Sequence, residues 1–249
     1  MSSNYKKYLN KYEFETVLPG SGQKIKFKPI TTGQMKSLLA YEKETDMAKV
    51  EEILDDLLAE SIIEPKDFDI TSMYINDRFF FMIELRKNTR GTVYEFEHQC
   101  PECRSQSIQK VDLKTLKVEK LPKKLDNIVK MDDNISVKLD FPRRSDQKLA
   151  YEILKEAPDI SDMQRTAELG TIVSALTIKS IITPDGEDSD IPLEEKILFV
   201  ENISTQMYEK IADFSSRNFG IDFKTEIKCK TKKCKYKKVI DIPPENFFF

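Results

Sequence analysis

Apolar and charged side chains alternate most plainly at Lys24-Ile25-Lys26-Phe27-Lys28, a period of two that predicts a half-buried strand. Phe14 and Val17 lie before the turn Pro19-Gly20-Ser21-Gly22, so residues 13–30 read as two short strands. Thr31 and Thr32 then offer an N-cap for a helix running to about Glu44, with Met35, Leu38 and Leu39 on one face. From 46 to 62 the apolar spacing lengthens to three and four residues. Val50, Ile53, Leu54, Leu57 and Leu58 form a stripe, while Glu51, Glu52, Asp55, Asp56 and Glu60 cover the rest of that helix. A third helix is expected from Thr71 to Asn88. Its middle, Phe79-Phe80-Phe81-Met82-Ile83, is apolar on every side and belongs in a core; a short buried strand is the competing reading.

Strand habit returns at 92–97, where Thr92, Tyr94 and Phe96 alternate with Val93, Glu95 and Glu97. The turn Cys100-Pro101-Glu102-Cys103 follows, and Ile108 and Val111 mark the return strand. Residues 114–124 are lysine-rich with Leu121-Pro122 inside and read as a connector. Ile128 to Met131 and Ile135 to Phe141 form an expected hairpin over Asp132-Asp133-Asn134. Helices are predicted over 146–156, 162–182, 192–201 and 205–218, with residues 184–191 as a polar loop and Gly220 as the stop. The close is a hairpin, Ile221 to Cys229 and Lys235 to Ile242. The fold class is therefore α+β: a helical body with β-hairpins, two of which carry cysteines and form a zinc-ribbon-like module with four cysteine ligands. The division expected is 1–90 for the N-terminal strands and helices, 91–142 plus 221–249 for the β module, and 143–220 for a helical segment.

The four cysteines fall into two close pairs, Cys100-x-x-Cys103 and Cys229-x4-Cys234, each at a hairpin tip. A short turn can present two soft thiolates to one face of a metal ion, and two such turns complete a tetrahedron around Zn²⁺. The 125 residues between the pairs make the intervening segment an insertion between the two turns. Four thiolates around a dication leave a formal excess of two negative charges. Arg104, Lys228, Lys230, Lys232, Lys233 and Lys235 flank the cysteines in sequence and are expected to offset it. Structural zinc supplies on the order of 10 kcal/mol to the segments it clamps, so the metal-free chain is expected to fold poorly. Two independent thiol pairs and a redox Cys-x-x-Cys are the competing readings, although the strand-to-helix context of a redox motif is missing. His98, the single histidine, could replace one thiol as a ligand but reads better as a strand residue.

Composition narrows the function classes. A net charge of −3 gives no whole-chain attraction to nucleic acid or acidic membrane. The longest strongly apolar run, Phe79 to Ile83, falls far short of the roughly 20 residues a spanning helix needs, and the start of the chain has no apolar stretch of a leader. The expectation is a soluble chain made in a reducing compartment, where metal binding is favoured over disulfides. Residues 224–238 hold eight lysines and one acid but only Tyr236 as a stacking aromatic. A solvated face therefore fits them better than a phosphate-binding one. The acidic loop Asp185 to Asp190 lacks the spacing of a calcium loop. Phosphate-cradling glycine loops, G-x-S-x-G and H-E-x-x-H are all missing, and a four-thiolate zinc has no open coordination position, so the chain reads as a non-enzyme with no small-molecule substrate. The C-terminal Phe247-Phe248-Phe249 would lose about 1.5–3 kcal/mol each if left in water, so these rings are expected either to fold back or to dock on a partner.

A strand ending Lys26-Phe27-Lys28-Pro29-Ile30-Thr31, an immediate helix from Gly33 to Leu39, an acidic helix and then a strand into Cys100-Pro101-Glu102-Cys103 resembles the baseplate hub proteins of T-even-type tailed bacteriophages. The likeness is to their hub subunit and hub assembly proteins, and it spans most of the chain, including the late cysteine pair. It implies a part in virion tail morphogenesis, through contacts with other baseplate hub and tail proteins in the cytoplasm of the infected cell. Members differ in whether they stay in the finished tail baseplate. No catalytic residue transfers from the resemblance. The expected function is structural, with Cys100, Cys103, Cys229 and Cys234 holding zinc and Phe247 to Phe249 as a docking segment. The alternative is a zinc-ribbon nucleic-acid-binding regulator that uses the lysines of 228–238 on phosphates.

Overall fold

The computed structural model describes residues 12–40, 46–155, 160–215 and 219–243. The first hairpin is as expected, with β1 (Phe14–Val17) and β2 (Lys24–Phe27) paired antiparallel in the register Phe14↔Phe27. Helix α1 (Thr32–Leu39) opens on a capping box: Thr31 accepts from the Gln34 N–H, and the Gln34 side chain accepts from the Thr31 N–H. Helix α2 (Met47–Ser61) starts at an Asp46 cap. Residues 62–64, which the sequence reading leaves to the end of a helix and a stop, form β3 (Ile62–Glu64) on the free side of β2. Helix α3 (Ile75–Arg90) follows a short 3-10 turn at Ile70–Ser72, and the run 79–83 lies within the helix rather than in a strand.

Strands β4 (Val93–Gln99) and β5 (Gln106–Asp112) form the first cysteine hairpin, in an unbroken register from Val93↔Asp112 to Gln99↔Gln106. The connector holds a two-residue strand, β6 (Val118–Glu119). The hairpin over 132–134 appears as β7 (Ile128–Lys130) and β8 (Ser136–Leu139). Helix α4 spans Arg144–Lys155, and α5 spans Asp162–Thr177, starting on a second capping box between Ser161 and Gln164.

The helix expected over 162–182 is too long. The chain leaves it at Ile178 to form β9 (Ile178–Thr183), which pairs with β8, and β10 (Gly186–Asp188) turns back on β9 inside the loop expected to be irregular. Two causes act together: Ile178, Ile181 and Ile182 are β-branched, which favours the pleated surface, and β8, distant in sequence, supplies the backbone partners that helix would otherwise provide. Helices α6 (Leu193–Asn202) and α7 (Thr205–Ser215) complete that region. Ile221 does not open the closing hairpin. Gly220–Ile221 forms β11 against β6, and the hairpin begins at β12 (Lys224–Lys228) and returns as β13 (Lys237–Asp241).

The chain divides into two compact units, one taking residues to 68, 79–120 and those from 219 on, the other taking 69–78 and 121–218. In the first unit, Ile25, Phe27, Leu58, Phe81, Ile83 and Leu85 are fully buried, and the ring of Phe81 meets that of Phe27 edge-on with centroids 5.3 Å apart. The second unit carries the four-stranded antiparallel sheet β10-β9-β8-β7 with helices α4 to α7. Ala150, Leu154 and Ile172 form a buried cluster there, covered by Leu169, Val173 and Ile197. Stacked rings of Phe141 and Phe214, 4.9 Å apart, are buried in the same unit. The fold is mixed α+β, with seven helices and several small antiparallel sheets among the described residues. None of the described helices is long and apolar enough to cross a membrane.

Candidate metal centre

Both cysteine turns belong to the first unit, and each is built from its hairpin outward. Alternation on β4 and β5 buries Tyr94, Phe96, Gln109 and Val111 on one face and leaves Val93, Glu95 and Ile108 exposed on the other. At the end of the ladder the Cys100 N–H donates to Ser105 O at 2.9 Å and the Arg104 N–H donates to Cys100 O at 2.8 Å, closing a tight turn. Arg104 adopts φ 59°, the left-handed conformation that lets the chain reverse after the second cysteine. On the other hairpin the Cys229 N–H donates to Tyr236 O at 3.0 Å and the Cys234 N–H to Thr231 O at 2.9 Å.

Side chains tie one hairpin to the other. The Gln109 amide donates to Lys228 O at 3.4 Å, and the Lys230 ammonium donates to Ile108 O. The Tyr94 hydroxyl donates to Pro243 O at 2.7 Å, and the rings of His98 and Tyr236 stack with centroids 6.2 Å apart. These contacts register the two tips against each other, so the 125 intervening residues do not separate them.

The four sulfurs converge. Cys100 Sγ lies 3.7 Å from Cys234 Sγ, Cys103 Sγ lies 3.5 Å from Cys229 Sγ, and all four fall within 4.8 Å of one another. A tetrahedral Zn²⁺ with bonds of about 2.3 Å sets its sulfurs about 3.8 Å apart, so the donor type, the donor number and the spacing all fit such an ion. The close pairs run across the hairpins, one cysteine from each turn. All four thiols are free. Cys100 is buried, Cys103 is exposed, and Cys229 and Cys234 are half-buried, so the cluster has a dry side and a wet side. His98 is not in the cluster; its ring is occupied by stacking on Tyr236.

Two hydroxyls that the sequence reading does not single out touch the sulfurs. Ser105 Oγ lies 3.1 Å from Cys103 Sγ and 3.5 Å from Cys229 Sγ, and Thr231 Oγ1 lies 3.8 Å from Cys103 Sγ. A signal exists: a hydroxyl residue sits two places after a cysteine in each turn, Cys103-x-Ser105 and Cys229-x-Thr231. The Thr231 N–H also donates to Cys229 Sγ at 3.4 Å. The thiol of Cys229 is lowered to about 6, first by the Ser105 hydroxyl and then by the Thr231 backbone and side chain. That of Cys103 is lowered by the same Ser105 hydroxyl. Cys234 is pushed up to about 12: the hydrogen bond from Tyr236 would lower it, and burial together with hydrogen bonds to Cys100, Cys229 and Cys103 outweighs that. Protons shared among the sulfurs hold charge that a divalent cation would neutralise instead.

Of the flanking cations, Lys228 pairs with Glu226 at 3.4 Å and Lys230 donates to a backbone carbonyl. The Glu102 carboxylate accepts from Cys234 Sγ at 3.5 Å. Phe247, Phe248 and Phe249 lie outside the described residues. In the same unit, an open cleft of about 220 Å³ against α1 and α2 is lined by Leu38, Ile53 and Leu57 together with Gln34, Asp56 and Glu60. Gln34 donates to Glu60 at 2.8 Å there, and the Ser37 hydroxyl donates to Gly33 O.

A family model described as T4 bacteriophage base plate protein matches residues 9–249, almost the whole chain. No curated protein and no solved structure matches it.

Proposed function

The chain belongs to the T4 bacteriophage base plate protein family, and from that premise we propose that it is a hub subunit or hub assembly protein that acts through protein–protein contacts in tail morphogenesis. Its partners are other baseplate hub and tail proteins. Its work is done in the cytoplasm of the infected cell, on the way to the tail baseplate. It takes no small-molecule substrate and performs no catalysis. Cys100, Cys103, Cys229 and Cys234 hold a structural Zn²⁺ in a zinc-ribbon-like arrangement that keeps the two hairpins together. The observation that carries the metal reading is the convergence of four free sulfurs within 4.8 Å from turns far apart in the chain. A four-thiolate ion is coordinatively closed, which suits cohesion rather than activation of water. Phe247 to Phe249 serve as a docking segment for a baseplate partner, because three adjacent aromatic rings favour burial.

Metal analysis of the purified chain, joined to affinity capture from phage-infected cells, tests the reading. One zinc per chain and recovery of baseplate hub components support it. A metal-free native protein overturns the zinc assignment, and capture of nucleic acid without tail components overturns the assembly role. The second reading, a nucleic-acid-binding regulator, is favoured by the exposed Lys232, Lys233 and Lys235 at the second turn. It requires retention on DNA or RNA that falls steeply with added salt, where the hub reading expects little binding at physiological salt.

A further inference from the structure

Each turn contributes one hydroxyl, and each hydroxyl reaches a sulfur of the other turn. Ser105 is on the first turn and lies 3.5 Å from Cys229 Sγ, while Thr231 is on the second and lies 3.8 Å from Cys103 Sγ. The two hydroxyls are themselves hydrogen-bonded at 3.0 Å. Their contacts all fall on the Cys103–Cys229 side of the cluster, where Cys103 is exposed. The Cys100–Cys234 side is closed by burial of Cys100.

We propose that Ser105 and Thr231 form a hydroxyl bridge between the two turns that holds Cys103 and Cys229 in ligating position and slows loss of metal from the exposed side of the site. This rests on the zinc reading above. The hydrogen count fixes how the bridge works. With the thiols protonated, Cys103 S–H donates to Thr231 Oγ1. With all four sulfurs ionised around a cation, the sulfurs are acceptors only, so any hydrogen bond to them is donated by a hydroxyl or a backbone N–H. Thr231 then donates to Ser105 or to Cys103, Ser105 donates to one of its two sulfurs, and the Thr231 N–H supplies a further donor to Cys229. Donors on the exposed thiolates draw off part of the excess negative charge and compete with entering water and protons, the steps by which a thiolate leaves zinc. Backbone roles are separate: Ser105 O and Thr231 O accept from Cys100 and Cys234 and survive removal of either hydroxyl.

The test is the rate of zinc transfer from the full-length loaded protein to an excess of a chromogenic chelator. Ser105→Ala and Thr231→Ala are each expected to raise that rate about 10- to 100-fold, matching the loss of metal affinity that removal of an outer partner of a ligand brings. The double variant should raise it by less than the product of the two, because the hydroxyls bond each other. Ser105→Thr and Thr231→Ser should restore slow release, and Thr115→Ala, whose hydroxyl bonds Asp112 O in the same unit, should leave it unchanged. Cobalt-loaded variants should keep the thiolate-to-metal charge-transfer band at undiminished intensity, which shows that all four sulfurs still bind. Release at the wild-type rate from both alanine variants overturns the bridge and leaves the zinc reading intact. A wild-type chain that takes up neither zinc nor cobalt overturns both. If Ser105→Ala fails to fold, Thr231→Ala decides alone, because that side chain is exposed.

Discussion

Cys100 and Cys234, 134 residues apart in the chain, bring their Sγ atoms to 3.7 Å of each other, one buried in the first cysteine turn and the other half-buried in the second. Neither pair of neighbouring cysteines is a site by itself; the contact exists because two hairpins meet. If a metal ion bridges them, loss of one sulfur from either hairpin releases both. Cys100→Ser and Cys234→Ser are each expected to abolish stoichiometric zinc and to lower the thermal midpoint to near that of the chelator-stripped wild type. In the stripped protein neither substitution should cost nearly as much. Calorimetry with and without chelator reads this, and a Cys234→Ser variant that keeps one zinc per chain would refute the shared site.

The thiols of the reduced, metal-free protein should titrate far apart. Cys229 is lowered to about 6 by the Ser105 hydroxyl and the Thr231 N–H, and Cys234 is raised to about 12. Thiolate is the alkylating species, so iodoacetamide should label Cys229 readily at neutral pH, with its rate falling as pH drops through about 6. Cys234 should stay nearly inert. The effects on stability have opposite signs. The depressed Cys229 pKa favours the metal-free fold above the ordinary thiol value of 9.0, and that contribution is lost as pH falls through about 6. The raised Cys234 pKa favours the fold below 9.0, and its contribution is lost as pH rises through about 12. Peptide mapping by mass spectrometry separates the two cysteines; equal labelling of both at pH 7 would contradict the assignment.

Helix capping offers a check on the segment that carries the family likeness. Lys28-Pro29-Ile30-Thr31 leads into α1, and Thr31 is there for a physical reason: its hydroxyl accepts the Gln34 N–H while Gln34 accepts the Thr31 N–H. Thr31→Ala should cost about 0.5–2 kcal/mol. Ser161→Ala, the same device at the start of α5, should cost a similar amount. Urea unfolding measures both, and a cost near zero at Thr31 would mean the box does not persist in solution.

What the sequence conveys well is whatever is encoded locally. The alternation at 92–97 and the cap at Thr31 each depend on neighbours within a few residues, and each appears as read. Residues 178–183 mislead because α5 and β9 join without a break: the helical spacing of Leu169, Ile172, Val173 and Leu176 runs straight into isoleucines whose strand partner, β8, lies some 40 residues earlier. The same holds for β3 and for the β6–β11 pair, short strands created by their partners rather than by their own composition. At the site, the sulfurs are legible but their surroundings are not. Lys228 pairs with Glu226 and Lys230 with a carbonyl, while Ser105 and Thr231, unremarkable as residue types, reach the thiols from opposite hairpins.

The core of the first unit permits a quantitative test. Phe27 and Phe81 are both fully buried, on β2 and α3, with rings 5.3 Å apart at 85°. Phe27→Ala or Phe81→Ala should each cost about 3–5 kcal/mol, from lost burial plus the cavity that remains. The edge-to-face contact adds a pairwise part of about 0.5–1.5 kcal/mol beyond burial. That part disappears in whichever variant is made first, so the double variant should be destabilised by less than the sum of the two, by about that amount. If the separate costs instead added fully, the rings would be buried in independent environments and the packing of β2 on α3 would be wrong. Chemical unfolding at one fixed zinc concentration is the right measurement. It keeps the cysteine hairpins constant across the four proteins, so any departure from additivity belongs to the aromatic pair.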